Sequence, residues 1–264
     1  MEPKKIIYYH DELNDEFSEA KIEPRKIDKN YCYIPKNPIW NIASLLAQNV
    51  ISMPIKVLYS VIKFRLRFVG KEKLKPFRYG EGYFMYANHT QPFADTFIPS
   101  LANYPKRNFF IVNPENVSIK FLGKIVEMLG ALPIPCDIDG MKHFIKAIET
   151  RIKQNYSVTI YPEAHIWPYY TGIRNFKDVS FKYPVQLDKP VFCITNTYQK
   201  RGKKQDKIQI VSYVDGPFYA DKSLPVKERQ HELRNRVHDC MVNRAKNSNV
   251  DYIEYRKAED TKEK

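Results

Sequence analysis

Apolar residues dominate one continuous stretch of the chain, from Pro38 to Phe68: PIWNIASLLAQNVISMPIKVLYSVIKFRLRF. By length this stretch suffices to span a bilayer. Asn41, Gln48, Asn49, Ser52 and Lys56 interrupt it, and Pro54 predicts a break near its middle, so two short helices of mixed polarity are expected. Ile51, Ile55, Leu58, Val61 and Ile62 recur at helical spacing, and Lys63, Arg65 and Arg67 follow. A helix of that profile suits the headgroup zone of an anionic bilayer. Packing against the protein's own core is the other reading.

From residue 80 onward, short apolar runs alternate with helical patterns. YFMYA (83–87), FFIV (109–112), ALPI (131–134), SVTIY (157–161), VFCITNT (191–197) and IQIVSYV (208–214) read as strands of a buried sheet. Helical periodicity marks 94–103, 117–129, 139–154 (Asp139 as N-cap) and 225–247. The alternation predicts an α/β class: a mixed, mostly parallel sheet flanked by helices, preceded by an amphipathic two-helix membrane-docking segment. The expected organisation is a polar arm at 1–37, the apolar helical segment at 38–70, the α/β domain at 71–250 and a polar tail at 251–264.

Charge and composition narrow the partners. The net charge of +13 implies something anionic: nucleic acid, an anionic membrane surface or a phosphorylated substrate. No nucleic-acid reader motif is present, and such binding would leave 38–68 unexplained, so no nucleic acid is expected. With 9 Gly and no G-x-G-x-x-G or Walker pattern, the usual nucleotide cradles are excluded. Cys32, Cys136, Cys193 and Cys240 lack metal-ligand spacing, which predicts free thiols in a reducing compartment and no metal. The N-terminus lacks the apolar core of an export signal, so a cytoplasmic setting is expected.

Candidate chemistry lies where strands run into turns. The first strand ends in Ala87-Asn88-His89-Thr90, with Asp95 six positions after the histidine. A carboxylate that holds one imidazole nitrogen leaves the other free to take a proton from an alcohol. Helix capping by Asp95 and an ordinary loop histidine are the plainer readings. A later strand ends in Tyr161-Pro162-Glu163-Ala164-His165, with Arg174 and Lys177 following; Glu163 reads either as a site organiser or as a loop ion pair. Trp167, Tyr169 and Tyr170 read equally as core cover and as side chains that line an acyl channel or dip into a membrane interface. No G-x-S-x-G turn argues for a serine hydrolase.

Taken together, ANHTQPFAD (87–95), GALPIPC (130–136), TIYPEAH (159–165) and KPVFCITNTY (189–198) resemble, in order and spacing, the four blocks of the lysophosphatidate and glycerol-3-phosphate acyltransferase family. The resemblance implies transfer of a fatty acyl group from acyl-CoA or acyl carrier protein to a lipid acceptor such as 1-acylglycerol-3-phosphate. His89 would be the base and Asp95 its orienting partner, with Asn88, Thr90, Pro162, Glu163, His165 and Arg174 at the substrate. It implies no cofactor, and a peripheral or monotopic place on the cytoplasmic face of a membrane. A catalytically silent membrane-binding protein with the same fold is the alternative. Three departures stand out. Five residues separate His89 from Asp95 where the family has four, which rotates Asp95 relative to His89 unless the turn bulges at Pro92. Pro135-Cys136 stands where the second block ends in Arg, and Ala164-His165-Ile166 replaces Gly-Thr-Arg. Arg174, protonated His165, Arg107 and Lys106 are the cations offered in place of those arginines.

Overall fold

The computed structural model describes residues 5–18, 22–202 and 204–258. In chain order these build β1 (Lys5–Tyr9), α1 (Pro38–Leu46), α2 (Ser52–Phe64), β2 (Arg67–Val69), β3 (Tyr83–Ala87), α3 (Phe97–Asn103), β4 (Asn108–Val112), α4 (Pro114–Ser118), α5 (Gly123–Met128), β5 (Ala131–Pro133), α6 (Ile138–Lys153), β6 (Ser157–Ile160), α7 (Lys182–Leu187), β7 (Val191–Arg201), β8 (Lys204–Phe218), α8 (Val226–Ala245) and β9 (Ile253–Lys257). Seven strands form one sheet in the order β2-β8-β7-β3-β6-β4-β5. Only the β7–β8 pair is antiparallel. The six predicted strands are all present.

The continuous apolarity of YFMYA follows from its position. β3 lies between β6 and β7, and both of its faces are covered. Side chains alternate across a strand. Phe84 and Tyr86 therefore join the core under α6, α7 and α8, with Phe144, Ile148, Phe181 and Val237. Tyr83, Met85 and Ala87 face the opposite layer, with Phe64, Ile98 and Ala102 from α2 and α3. The sheet is thus sandwiched between two helical layers.

The expected break at Pro54 does not occur. Pro38–Phe64 forms one helix of 27 residues, long and apolar enough by length and composition to cross a membrane. A π-turn at Ala47–Ile51 sits just before Pro54, with the Ser52 N–H bonded to the Ala47 carbonyl. Proline removes an N–H and its ring crowds the carbonyl four residues back; widening the preceding turn relieves that crowding without ending the helix. The helix is inside-out: Ser44, Gln48, Lys56 and Ser60 are buried, while Ile39, Ile42, Ile51, Ile55, Leu58 and Ile62 are exposed.

Other expectations shift locally. The 117–129 pattern resolves into α4 and α5, with Phe121 at φ 64 in the turn between them. Asp137 caps α6 through the Gly140 N–H (2.6 Å), while Asp139 lies inside the helix and pairs with Lys142. The polar arm and tail are not merely extended. β1 and β9 pair in parallel as a separate two-stranded sheet, in register Lys5↔Ile253. Within the arm and the tail, 1–4, 19–21 and 259–264 lie outside the described residues.

Candidate active site

β3 and β6 are adjacent and parallel, so the turns after their C-terminal ends meet above one edge of the sheet. His89 follows β3 and Glu163 follows β6. Nδ1 of His89 lies 2.6 Å from Oδ2 of Asp95. The same oxygen accepts the Gln91 N–H at 3.0 Å. The five-residue spacing is absorbed by a bulged turn over 92–96, where the Asp95 N–H reaches the Gln91 carbonyl at 3.2 Å and α3 starts only at Phe97.

The dyad is asymmetric in exposure: the Asp95 side chain is 4% exposed, that of His89 26%. Burial raises the Asp95 carboxyl above its ordinary range, against the hydrogen bonds from His89 and the Gln91 and Thr90 amides. An ionised carboxylate only accepts, so Nδ1 carries the hydrogen and Nε2 is left with its lone pair. The His89 ring stacks on Tyr161 at 4.6 Å between centroids, and the Tyr161 hydroxyl donates to the Asp95 carbonyl.

Most of the other predicted site residues hold the loop from within. Asn88, fully buried, donates to the Asn196 carbonyl (3.1 Å) and accepts the Asn196 N–H (2.8 Å), tying the loop to β7. Thr90 accepts the Tyr198 hydroxyl at 2.8 Å. Glu163 accepts the His89 N–H through Oε2 and the Arg174 N–H through Oε1, both at 3.0 Å. The Arg174 guanidinium, fully enclosed, bonds Glu163 (3.4 Å), the His165 carbonyl and the Glu12 carbonyl, and lies over Trp167. Pro162 occupies the turn just before Glu163, and His165 pairs at the surface with Glu16 (3.1 Å). Lys106 and Arg107 precede β4, at the N-terminal ends of the parallel strands whose C-terminal ends carry His89, so the fold does not bring them to the dyad. Lys106 is spent on the carbonyls of Gly80, Glu81 and Asn155.

The aromatic insert after Glu163 clamps the dyad loop. The Trp167 N–H bonds the His89 carbonyl (3.1 Å) and the Tyr169 N–H bonds the Thr90 carbonyl (2.8 Å). Trp167 itself is enclosed by Tyr9, Phe17 and Tyr255, which come from the two chain ends. Gln91 and Tyr198, unsuspected from sequence, complete the loop's support at 2.9 Å; a buried tyrosine far along the chain leaves no local pattern. Nor did spacing reveal that Cys193, Asp215 and Cys240 come together. That group is occupied by ion pairs, since Lys73 (2.7 Å) and Arg244 (2.7 and 2.8 Å) take up Asp215.

The arrangement leaves a partly exposed imidazole with one nitrogen held by a buried carboxylate. The family model for acyltransferases matches residues 65–196, a span that contains the dyad, Glu163 and the strands that carry them. The chain belongs to the acyltransferase family and is an acyltransferase. Its fold is similar to that of PlsC, the 1-acyl-sn-glycerophosphate (LPA) acyltransferase of Thermotoga maritima. The TM-score is 0.50 at 13% identity, over 81% of this chain and 98% of that one. No curated protein matches the sequence.

Proposed function

We propose that the protein moves a fatty acyl group from a thioester donor, acyl-CoA or acyl carrier protein, to a glycerolipid hydroxyl at a membrane surface. The 2.6 Å contact between His89 and Asp95, with the imidazole still open to solvent, carries this reading. The acceptor hydroxyl gives its proton to Nε2 of His89 as its oxygen bonds to the thioester carbonyl carbon. Collapse of the tetrahedral intermediate breaks the C–S bond, and the imidazolium returns the proton to the departing thiolate. The proton count closes with these groups alone, so the scheme requires no metal or cofactor.

In this scheme Asp95 positions His89 and stabilises its cationic form. Asn88, Thr90, Glu163 and Arg174 fix the loop, as their burial supports, and His165, partly exposed and paired with Glu16, is assigned to the substrate. With Arg174 enclosed, an acceptor phosphate has no arginine at this loop. 1-Acylglycerol-3-phosphate is then one acceptor among glycerolipid alcohols that includes uncharged ones. The inside-out helix Pro38–Phe64 favours peripheral or monotopic attachment. It is fastened to the domain along its length, by Ser44 to the Met128 carbonyl (2.6 Å), Asn49 to the Pro105 carbonyl (3.0 Å) and Lys56 to Ser100 (3.1 Å). An exposed apolar face of that extent marks a membrane contact.

The test is a panel of both donors against 1-acylglycerol-3-phosphate and neutral glycerolipid alcohols, with His89→Ala and Asp95→Ala in parallel. Transfer to at least one acceptor is expected, reduced on the order of 10²–10⁴-fold in His89→Ala. Equal turnover by His89→Ala removes the base assignment. Failure on every glycerolipid alcohol removes the acceptor class.

A further inference from the structure

At the strand ends opposite the dyad, two arginines share a cavity, and neither is ion-paired with a carboxylate. Arg107 precedes β4 and Arg151 lies near the end of α6; each is 8% exposed. Arg107 donates to Gln48 Oε1 (3.1 Å) and to Ser44 Oγ (2.7 Å), both on the long apolar helix. Arg151 donates to Gln154 Oε1 (3.1 Å) and to the Tyr33 carbonyl (3.2 Å), while its Nε is buried without a partner. Both guanidinium groups lie against Phe109, at 5.2 and 4.4 Å from the ring centre, and Arg107 also lies over Tyr156. Burial, followed by the charge of Arg107, pushes Arg151 down to about 10.

Two like charges buried side by side, solvated only by neutral groups, are costly unless an anion compensates them. Glu127 also lines the cavity, but its carboxylate is already taken by Arg25, Lys124 (3.0 Å) and the Tyr31 hydroxyl (3.0 Å). Among the lining residues, Arg107 and Arg151 therefore face a single carboxylate, and that carboxylate is already held by other groups. The cavity holds about 30 Å³, two to three times the ~10–15 Å³ that admits one water. Guanidinium forks match oxyanions with several acceptor atoms better than they match a spherical halide. Trp40 and Ser44 set the cavity beneath the helix whose outer face is apolar, where a bilayer would lie.

We propose that Arg107 and Arg151 form an anion site for a phosphate group, either inorganic phosphate or the phosphate of an anionic lipid headgroup reaching under the apolar helix. The site is distinct from the dyad, because the strands between the two are parallel and only their opposite ends carry the two sets of residues. It stands whether or not the acyl-transfer reading does.

The test uses the whole chain and two probes. Thermal unfolding is followed in inorganic phosphate and in chloride at matched ionic strength, and flotation is measured on phosphatidylcholine vesicles with and without phosphatidic acid. The wild type is expected to be stabilised by phosphate beyond chloride, or to prefer phosphatidate vesicles. Arg151→Gln, which leaves Arg107 and its helix contacts in place, is expected to lose that response roughly 30-fold or more. If only the soluble ion responds, the source is free phosphate; if only vesicles respond, it is the headgroup. Phosphate line broadening in ³¹P spectra of the wild type gives a readout independent of variant folding. Phosphate and chloride acting alike, together with vesicle binding unchanged by Arg151→Gln, would overturn the proposal.

Discussion

Glu163 accepts the backbone N–H of His89 at 3.0 Å, so the carboxylate after one strand fixes the main chain of the histidine after its neighbour. The carboxylate is itself held by Arg174, and both side chains are fully enclosed. A buried pair of this kind is marginal as a source of stability but severe to break, because removing one partner strands the other's charge. Arg174→Met is therefore expected to cost about 3–5 kcal/mol, and Glu163→Gln a comparable amount. Chemical denaturation of both single variants and of the double variant checks this. The double variant should recover much of the loss, and near-additivity of the two single effects would mean that the pair is not coupled.

Ala164 sits at φ 63, in the left-handed region, immediately after Glu163. The related motif has glycine at this point, where a Cβ is disfavoured by roughly 1–2 kcal/mol. Glycine in turn gives back some stability through the freedom it adds to the unfolded chain. Ala164→Gly is expected to raise stability by about 0.5–1 kcal/mol and to leave transfer activity intact. A fall in melting temperature would mean that the methyl group contributes packing here.

Burial raises the carboxyls of both Asp95 and Glu163 above their ordinary values of 3.8 and 4.5. The native state therefore binds protons more readily than the unfolded chain. The contribution of these groups is greatest below those ordinary values and is lost as pH rises through the folded ones. Asp95→Asn, which cannot ionise, should show a flatter stability profile from pH 4 upward than the wild type. Asp215 has the opposite sign: burial works to raise it, but hydrogen bonds from Arg244 and Lys73 outweigh burial and hold it low. Its contribution is present above 3.8 and disappears as pH falls through the lowered value, so Asp215→Asn should flatten the acid limb instead.

The sheet was legible because its central strands are buried on both faces, which leaves unbroken apolar runs such as YFMYA and SVTI. The His89–Asp95 pair was legible in residue type, while its spacing left open whether the turn would bulge or the carboxylate would swing away. What escaped depends on distant parts of the chain. KIIYY and IEYRK carry no signal that they pair across nearly the whole sequence. Arg174 read as a free cation because the enclosure made by Trp167, Glu12 and Glu163 exists only once the two chain ends fold over the insert. At Pro54 a propensity rule lost to geometry: a π-turn one step earlier made room for the ring. Polar positions in 38–64 read as interruptions of an apolar segment, yet several of them form the face that grips the domain.

That inverted face makes the membrane contact testable in detail. Ile55 and Leu58 are about three-fifths exposed on the outer surface of the helix, while Lys56 and Ser60 are buried against the domain. Each is worth about 1.5–3 kcal/mol if buried in the acyl region. Ile55→Asp with Leu58→Asp should therefore weaken vesicle binding by at least ~100-fold while the folded domain survives, since neither residue supports the core. Peripheral attachment makes a further claim that spanning does not. With the native cysteines replaced by serine, cysteines placed at Lys36 and Arg65, exposed polar positions that flank opposite ends of the helix, should both react with an impermeant thiol reagent added to the outside of sealed vesicles. Protection of either one would mean that the helix crosses the bilayer, which would require it to leave its contacts with Met128, Pro105 and Ser100.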